Sequence, residues 1–162
     1  DDDRDVDALV ESLGEAGCDD ALIGIGQPGR LALEFIREAD NADAAVRSAL
    51  ADVKRAIPSA RLVGATPDFV ALTDVAEIVG VSRQNMRKLM LAHPGSFPAA
   101  VHEGSASIWH LAEVLTWLEE KGGYGLERKM LETARAALEV NLAREVGRLP
   151  VAAARELRVL VA

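Results

Sequence analysis

The sequence predicts an α+β protein built from three segments, at residues 1–65, 66–121 and 122–162. Three observations predict it. Apolar residues switch between helical and strand periods in the order α-β-β-α-β across the first segment. Two short helical patterns flank a glycine in the second, followed by a strand pair and another helix. One long amphipathic pattern fills most of the third.

In the first segment Val6, Leu9, Val10 and Leu13 recur at helical spacing, and "GEAGC" ends that helix. "DDALIGIG" reads as a strand and "QPG" as a turn. "RLALEFIRE" alternates Leu31, Leu33 and Phe35 against Arg30, Ala32 and Glu34, so it is the second strand of a hairpin. Asp40 or Asn41 is expected to cap a helix whose apolar face is Ala45, Val46, Ala49, Leu50, Val53 and Ile57. "ARLVGA", residues 60–65, reads as a third strand. This order is that of a ferredoxin-like split βαβ unit whose first strand would have to precede Asp1. Without it the sheet has three strands and one vacated position.

"GIGQPG", Gly24 to Gly29, matches G-x-G-x-x-G letter for letter. A dinucleotide site needs a helix to start at those glycines, so that its amides face the pyrophosphate. Here Pro28 interrupts and a strand follows, so these read as hairpin glycines.

"TPDFVAL", residues 66–72, reads as a linker into the second segment. Thr73 is expected to cap a short helix with Val75, Ala76 and Val79 inward. Gly80 can take the left-handed conformation that ends it. Ser82 caps the next helix, over residues 82–91, which buries Met86 and Leu89. Arg83, Gln84, Arg87 and Lys88 then point outward, with Asn85 at the margin. No acid occurs from Gly80 through Pro98, in a chain with 26 acids. Arg or Lys can bond guanine, and Gln or Asn adenine, through two contacts at a base edge. Arg87 and Lys88 suit phosphates if they lie near the helix's far end. "FPAAVH" and "SIWH" read as two strands joined by the turn "EGSA", a small β-wing. Leu111, Val114, Leu115 and Leu118 form the inner face of the helix that follows.

From roughly Val70 to Glu120 the sequence resembles the winged helix-turn-helix of the MerR and excisionase families. "LTDVAEIVGVSRQNMRKL", "FPAAV" and "IWHLAEVLTWL" carry the likeness. The resemblance implies that Ser82, Arg83, Gln84, Asn85, Arg87 and Lys88 meet the major groove of double-stranded DNA. It implies backbone contact by the wing, through His102 and Ser105. The wing "HEGSAS" departs from the family in having no Arg or Lys, and it contains Glu103.

In the third segment Leu126, Met130, Ala134, Leu138, Leu142 and Val146 recur every four residues, and Pro150 stops the helix. "VAAARELRVLVA" forms a short second helix. The resemblance implies a helix that pairs two subunits. Packing onto its own chain is the competing arrangement.

Charge is unevenly shared in a chain of net −8. Residues 1–65 hold 14 acids and 7 bases, while residues 125–162 hold 5 acids and 7 bases. Weak affinity for random DNA is expected from that balance. No apolar run approaches the ~20 residues of a membrane span. The opening "DDDRDVD" lacks a Met and a basic-then-apolar stretch, so it reads as a trimmed, frayed acidic start without a secretory signal. Cys18 is the sole cysteine, which fits a reducing cytosol. His93, His102 and His110 have no cysteines at ligand spacing, so no metal and no cofactor are expected. Trp109 and Trp117 read as packing residues. Cys18 has no nearby histidine, and no paired-carboxylate, Walker or kinase motif occurs, which argues against an enzyme. The expected function is a bacterial, cytoplasmic, dimeric, sequence-specific transcription regulator. The alternative is an antitoxin or adaptor that holds a protein partner through its N-terminal or C-terminal segment. A recombination or architectural role is the third.

Overall fold

A computed structural model describes residues 6–27 and 29–161. Asp1–Asp5 of the expected acidic tail, and Pro28 of the hairpin turn, lie outside the described residues. The chain divides into two compact units between Leu62 and Val63.

The first unit contains α1 (Val6–Glu15), β1 (Ala21–Ile25), β2 (Leu31–Phe35) and α2 (Ala42–Ala56). The strands pair antiparallel, with Ile23 opposite Leu33 and Gly24 opposite Ala32. A strand, not a helix, follows Gly24 to Gly29, as the hairpin reading requires. Asn41 caps α2, its side chain accepting from the Ala44 amide at 2.8 Å. Leu13, Cys18 and Ile57 form the buried core, with Leu9, Ile23, Leu33, Phe35 and Val53 packed against it.

Two expectations fail here. Residues 60–65 form no strand. Among the described residues the sheet has two strands, and the ferredoxin-like arrangement is not reproduced. "ARLVGA" has the composition of a strand, but β-propensity acts only where a neighbouring edge offers hydrogen bonds. The Ala65 amide instead bonds the Asn141 side chain. Of the four apolar residues at helical spacing in α1, Leu13 is buried while Val6 and Val10 are each 41% exposed.

Arg37 locks this unit. It grips Asp20 with Nε and Nη2 at 2.7 and 2.8 Å, Asp52 with Nη1 at 2.7 Å, and the Gly17 carbonyl at 2.7 Å. Its side chain is only 11% exposed. Hydrogen bonding to Asp20 holds Arg37 still more firmly protonated than usual. The same bond holds the Asp20 carboxyl below its ordinary range. A carboxylate with a depressed folded-state pKa stabilises the fold above its unfolded pKa of about 3.9 and loses that contribution as pH falls through the folded value. Asp20→Asn should therefore flatten the acid side of the first unit's stability profile below about pH 4. Acid titration by circular dichroism would measure it, and an unchanged acid limb would count against the Arg37 clamp.

The second unit contains β3 (Phe69–Val70), α3 (Leu72–Val79), α4 (Arg83–Ala92), β4 (Trp109–His110), α5 (Leu111–Lys121), α6 (Arg128–Val146) and α7 (Val151–Leu160). Its core gathers Val75 and Ala76 of α3, Met86 of α4, Leu111, Val114, Leu115 and Leu118 of α5, and Leu131 and Ala134 of α6. Residues 66–72 are not a plain linker, because β3 pairs antiparallel with β4, Phe69 facing His110 and Val70 facing Trp109. Nor does Thr73 cap α3. The cap is Ala71, whose amide donates to Asp74 Oδ2 at 2.7 Å. The wing is shorter than expected. Val101 and His102 bond Ile108, but residues 97–100 form no strand. Pro98 has no N–H to give a ladder, and its carbonyl accepts from Trp109 Nε1 at 3.1 Å.

The stripe on α6 also differs from the four-residue pattern. Leu131, Ala134, Ala137 and Asn141 are buried, whereas Leu142 and Val146 are 49% and 57% exposed. Leu126 lies before the helix. Asn141 decides the register. Its Oδ1 accepts from the Ala65 amide at 2.8 Å, and its Nδ2 donates to the Ala65 carbonyl at 2.9 Å and to Asp68 Oδ2 at 2.6 Å. The other Asp68 oxygen accepts from His110 Nδ1 at 2.7 Å. The Asp68 carbonyl accepts from the Leu111 amide at 2.7 Å. Asp68, His110 and Asn141 are all buried. A polar group pulled into an apolar interior is tolerated when its partners come with it. This cluster therefore pins α6 to the start of the unit.

Candidate nucleic-acid interface

Helix α4 is held from three points. At its start, Ser82 adopts an extended conformation and its Oγ accepts from the Asn85 amide at 3.2 Å. Such a cap stabilises a helix by about 1 kcal/mol. In the middle Met86 is fully buried against α3 and α5. At the end His93 Nδ1–H donates to the Leu89 carbonyl at 3.0 Å, which leaves Nε2 to accept from Lys121 Nζ at 2.7 Å. The His93 ring also meets the edge of Trp117 at 5.4 Å. Trp109 is buried and Trp117 half-buried, with Phe97 between them at 6.3 and 5.1 Å, so both are packing residues.

The turn before α4 sets its direction. Gly80 has φ 71° and ψ 31°, the left-handed conformation expected of it. The Val81 amide returns to the Ala76 carbonyl at 2.9 Å. A Cβ at Gly80 would meet no atom within 4 Å, so an alanine there would suffer only from its backbone conformation. Gly80→Ala should lower stability by about 1–2 kcal/mol, read as a lower urea midpoint at unchanged slope.

Arg83, Gln84, Asn85, Arg87 and Lys88 are all exposed on this one helix. At about 100° per residue, Gln84 and Lys88 lie roughly 160° around the axis from Met86. They form the centre of the outward face. Arg83 and Arg87, four residues apart, line one flank, and Asn85 lies on the other. Leu91 shares the outward side and is 62% exposed. Nothing in the pattern of residues singles it out, since an apolar residue in an amphipathic helix reads first as core. His102 and Ser105 are exposed on the turn between Val101 and Ile108. Among the described residues no three His, Cys, Asp or Glu side chains are grouped to hold a metal ion.

This geometry comprises a capped helix with an acid-free polar face, set against a shorter helix through a glycine turn and followed by a small hairpin. Residues 68–122 match the family model described as the prophage CP4-57 regulatory protein, AlpA. The match supports a DNA-binding, excisionase-like family and does not single out MerR. It begins at Asp68, the buried carboxylate that bonds His110 and Asn141, and ends at Gly122, the C-cap of α5. It thus takes in α3, α4, the wing and α5, about a third of the chain. Comparison with curated proteins and with solved structures returned no match. No helix among the described residues is long and apolar enough to cross a membrane.

Proposed function

We propose that this chain is a cytoplasmic, sequence-specific DNA-binding regulator that reads the major groove with α4 and acts as a homodimer. The observation that carries the reading is the exposed, acid-free face of α4 within the segment that matches a prophage regulator. In this reading Gln84 and Lys88 reach base edges, while Arg83 and Arg87 hold the phosphates along one side of the groove. Ser82 has used its oxygen as the cap, and its hydroxyl hydrogen is available to a phosphate. His102 and Ser105 approach the backbone from the wing. Binding rather than catalysis is the activity.

The exposed Leu142 and Val146 of α6, with Leu157 and Leu160 of α7, support pairing of two copies. A two-fold dimer would present its reading helices to half-sites one helical turn apart, or a multiple of it. The adaptor reading rests on a different observation. None of the ten residues of α7 is buried, so a protein partner could cover it.

Capture of fragmented genomic DNA by the purified protein tests the proposal. A few fragments with paired half-sites should be enriched, bound at least 10³-fold more tightly than random DNA at physiological salt. Equal affinity for random and captured DNA would overturn it.

A further inference from the structure

The first unit has too little sheet for its helices. Both α1, through Leu9 and Leu13, and α2, through Val53 and its C-cap residue Ile57, contribute to one core on one face of the hairpin. Two helices side by side cover about 20 Å, at roughly 10 Å each. Two strands at a spacing of ~4.8 Å underlie only about half of that. The shortfall shows in the side chains. Val46 and Leu50 of α2 stay half-buried, Val6 and Val10 of α1 stay exposed, and among the described residues of this unit only Leu13, Ala16, Cys18, Ala49 and Ile57 are buried apolar residues.

The backbone shows where more sheet can be added. The Ile36 amide donates to the Asp20 carbonyl at 3.0 Å, which fixes the alternation of the ladder. Leu22 with Glu34 and Gly24 with Ala32 are then the hydrogen-bonded pairs. Leu31, Leu33 and Phe35 therefore turn their N–H and C=O groups away from β1, along a free edge. The opposite edge is less open, because the Ala21 amide is already bonded to the Cys18 carbonyl at 3.2 Å.

We propose that the free edge of β2 is a docking site for one extended polypeptide strand, apolar at alternate positions, from a partner segment that brings no helix with it. A second copy of this chain is the poorer fit. Antiparallel pairing of two β2 edges would give four strands, but it would place four helices on the same face, and the shortage would remain. A lone strand adds sheet without adding helices. Its alternate apolar side chains would lie under α1 and α2, and its edge groups would pair with Leu31, Leu33 and Phe35. The net −7 of residues 1–65 favours basic flanks on that strand. This surface is independent of α4 and of the DNA-binding reading.

The test fuses an eight-residue segment of alternating threonine and valine, flanked by lysines, to the full chain ahead of Asp1 through a flexible glycine–serine linker. The tether supplies millimolar effective concentration. A second fusion carries proline at each pairing position of the segment. Amide exchange at Leu31, Leu33 and Phe35 should slow at least tenfold in the first fusion relative to the second. Equal exchange in the two fusions would overturn the proposal, as would protection of Ile23 and Ile25 instead. Protection of the same three amides in the unfused chain, rising with its concentration, would assign the edge to a second copy and overturn it as well.

Discussion

Asp68→Ala should destabilise the second unit by about 3–5 kcal/mol, the usual result of removing one partner from a buried charged cluster. The substitution strands two donors at once, His110 Nδ1–H and Asn141 Nδ2–H, in a region sealed from water. It also leaves a small void where β3, β4 and α6 meet. Domains are stable by only about 5–15 kcal/mol, so such a loss consumes a large share. The measurement is convenient, because both tryptophans of the chain, Trp109 and Trp117, lie in this unit and report on it alone. Their fluorescence should show a urea midpoint lowered by at least about 1 M. Asp68→Asn keeps the size and one acceptor, so it should restore part of the stability. A midpoint shift of the alanine variant below about 0.3 M would show that the cluster adds little.

Arg83→Ala combined with Arg87→Ala should weaken DNA binding by about 100-fold or more, since a hydrogen bond to a charged group contributes about 1.5–3 kcal/mol. The loss should be nearly uniform across sequences, because phosphates look alike at every site. It should also reduce the salt dependence of binding by about one unit of slope for each lost phosphate contact. Gln84→Ala should behave differently, relaxing the preference at one base position by about 1–3 kcal/mol while leaving the salt slope alone. All three side chains are exposed, so folding should be untouched. Titration of the captured fragment at several salt concentrations separates the two behaviours. Unchanged affinity in the double variant would sink the assignment of α4 as the reading helix.

The local devices around α4 were legible in the sequence. Ser82 as a cap, Gly80 as a left-handed stop, and Met86 as an inward residue each follow from the chemistry of one residue and its immediate neighbours. The same holds for Asn41 and for the hairpin at Gly24 to Gly29. What could not be read depends on partners remote in the chain. Residues 60–65 carry a strand's composition, yet a strand exists only beside another edge, and none among the described residues receives it. The four-residue pattern on α6 shares Ala134 with the buried face, and Met130 and Leu138 pack against the core, but the pattern passes over the polar Asn141. Its burial is set by Ala65 and Asp68, more than 70 residues earlier. Asp68 itself sat in a stretch that reads as a connector. Within the candidate interface, residue types and their outward side could be named from sequence, but the exposure of Leu91 could not, since an apolar residue reads first as core.

The polar cluster on α6 separates two boundaries that are easily confused. The stretch that a family model recognises stops at Gly122, where α5 ends. The stretch that holds itself together does not stop there. Leu131 and Ala134 complete the core beneath α5, and Asn141 supplies two hydrogen bonds to Ala65 and one to Asp68. A fragment cut to the recognisable length would uncover the inner face of α5 and orphan a buried carboxylate oxygen. In this chain the segment that the family model matches is thus shorter than the segment whose buried groups depend on one another.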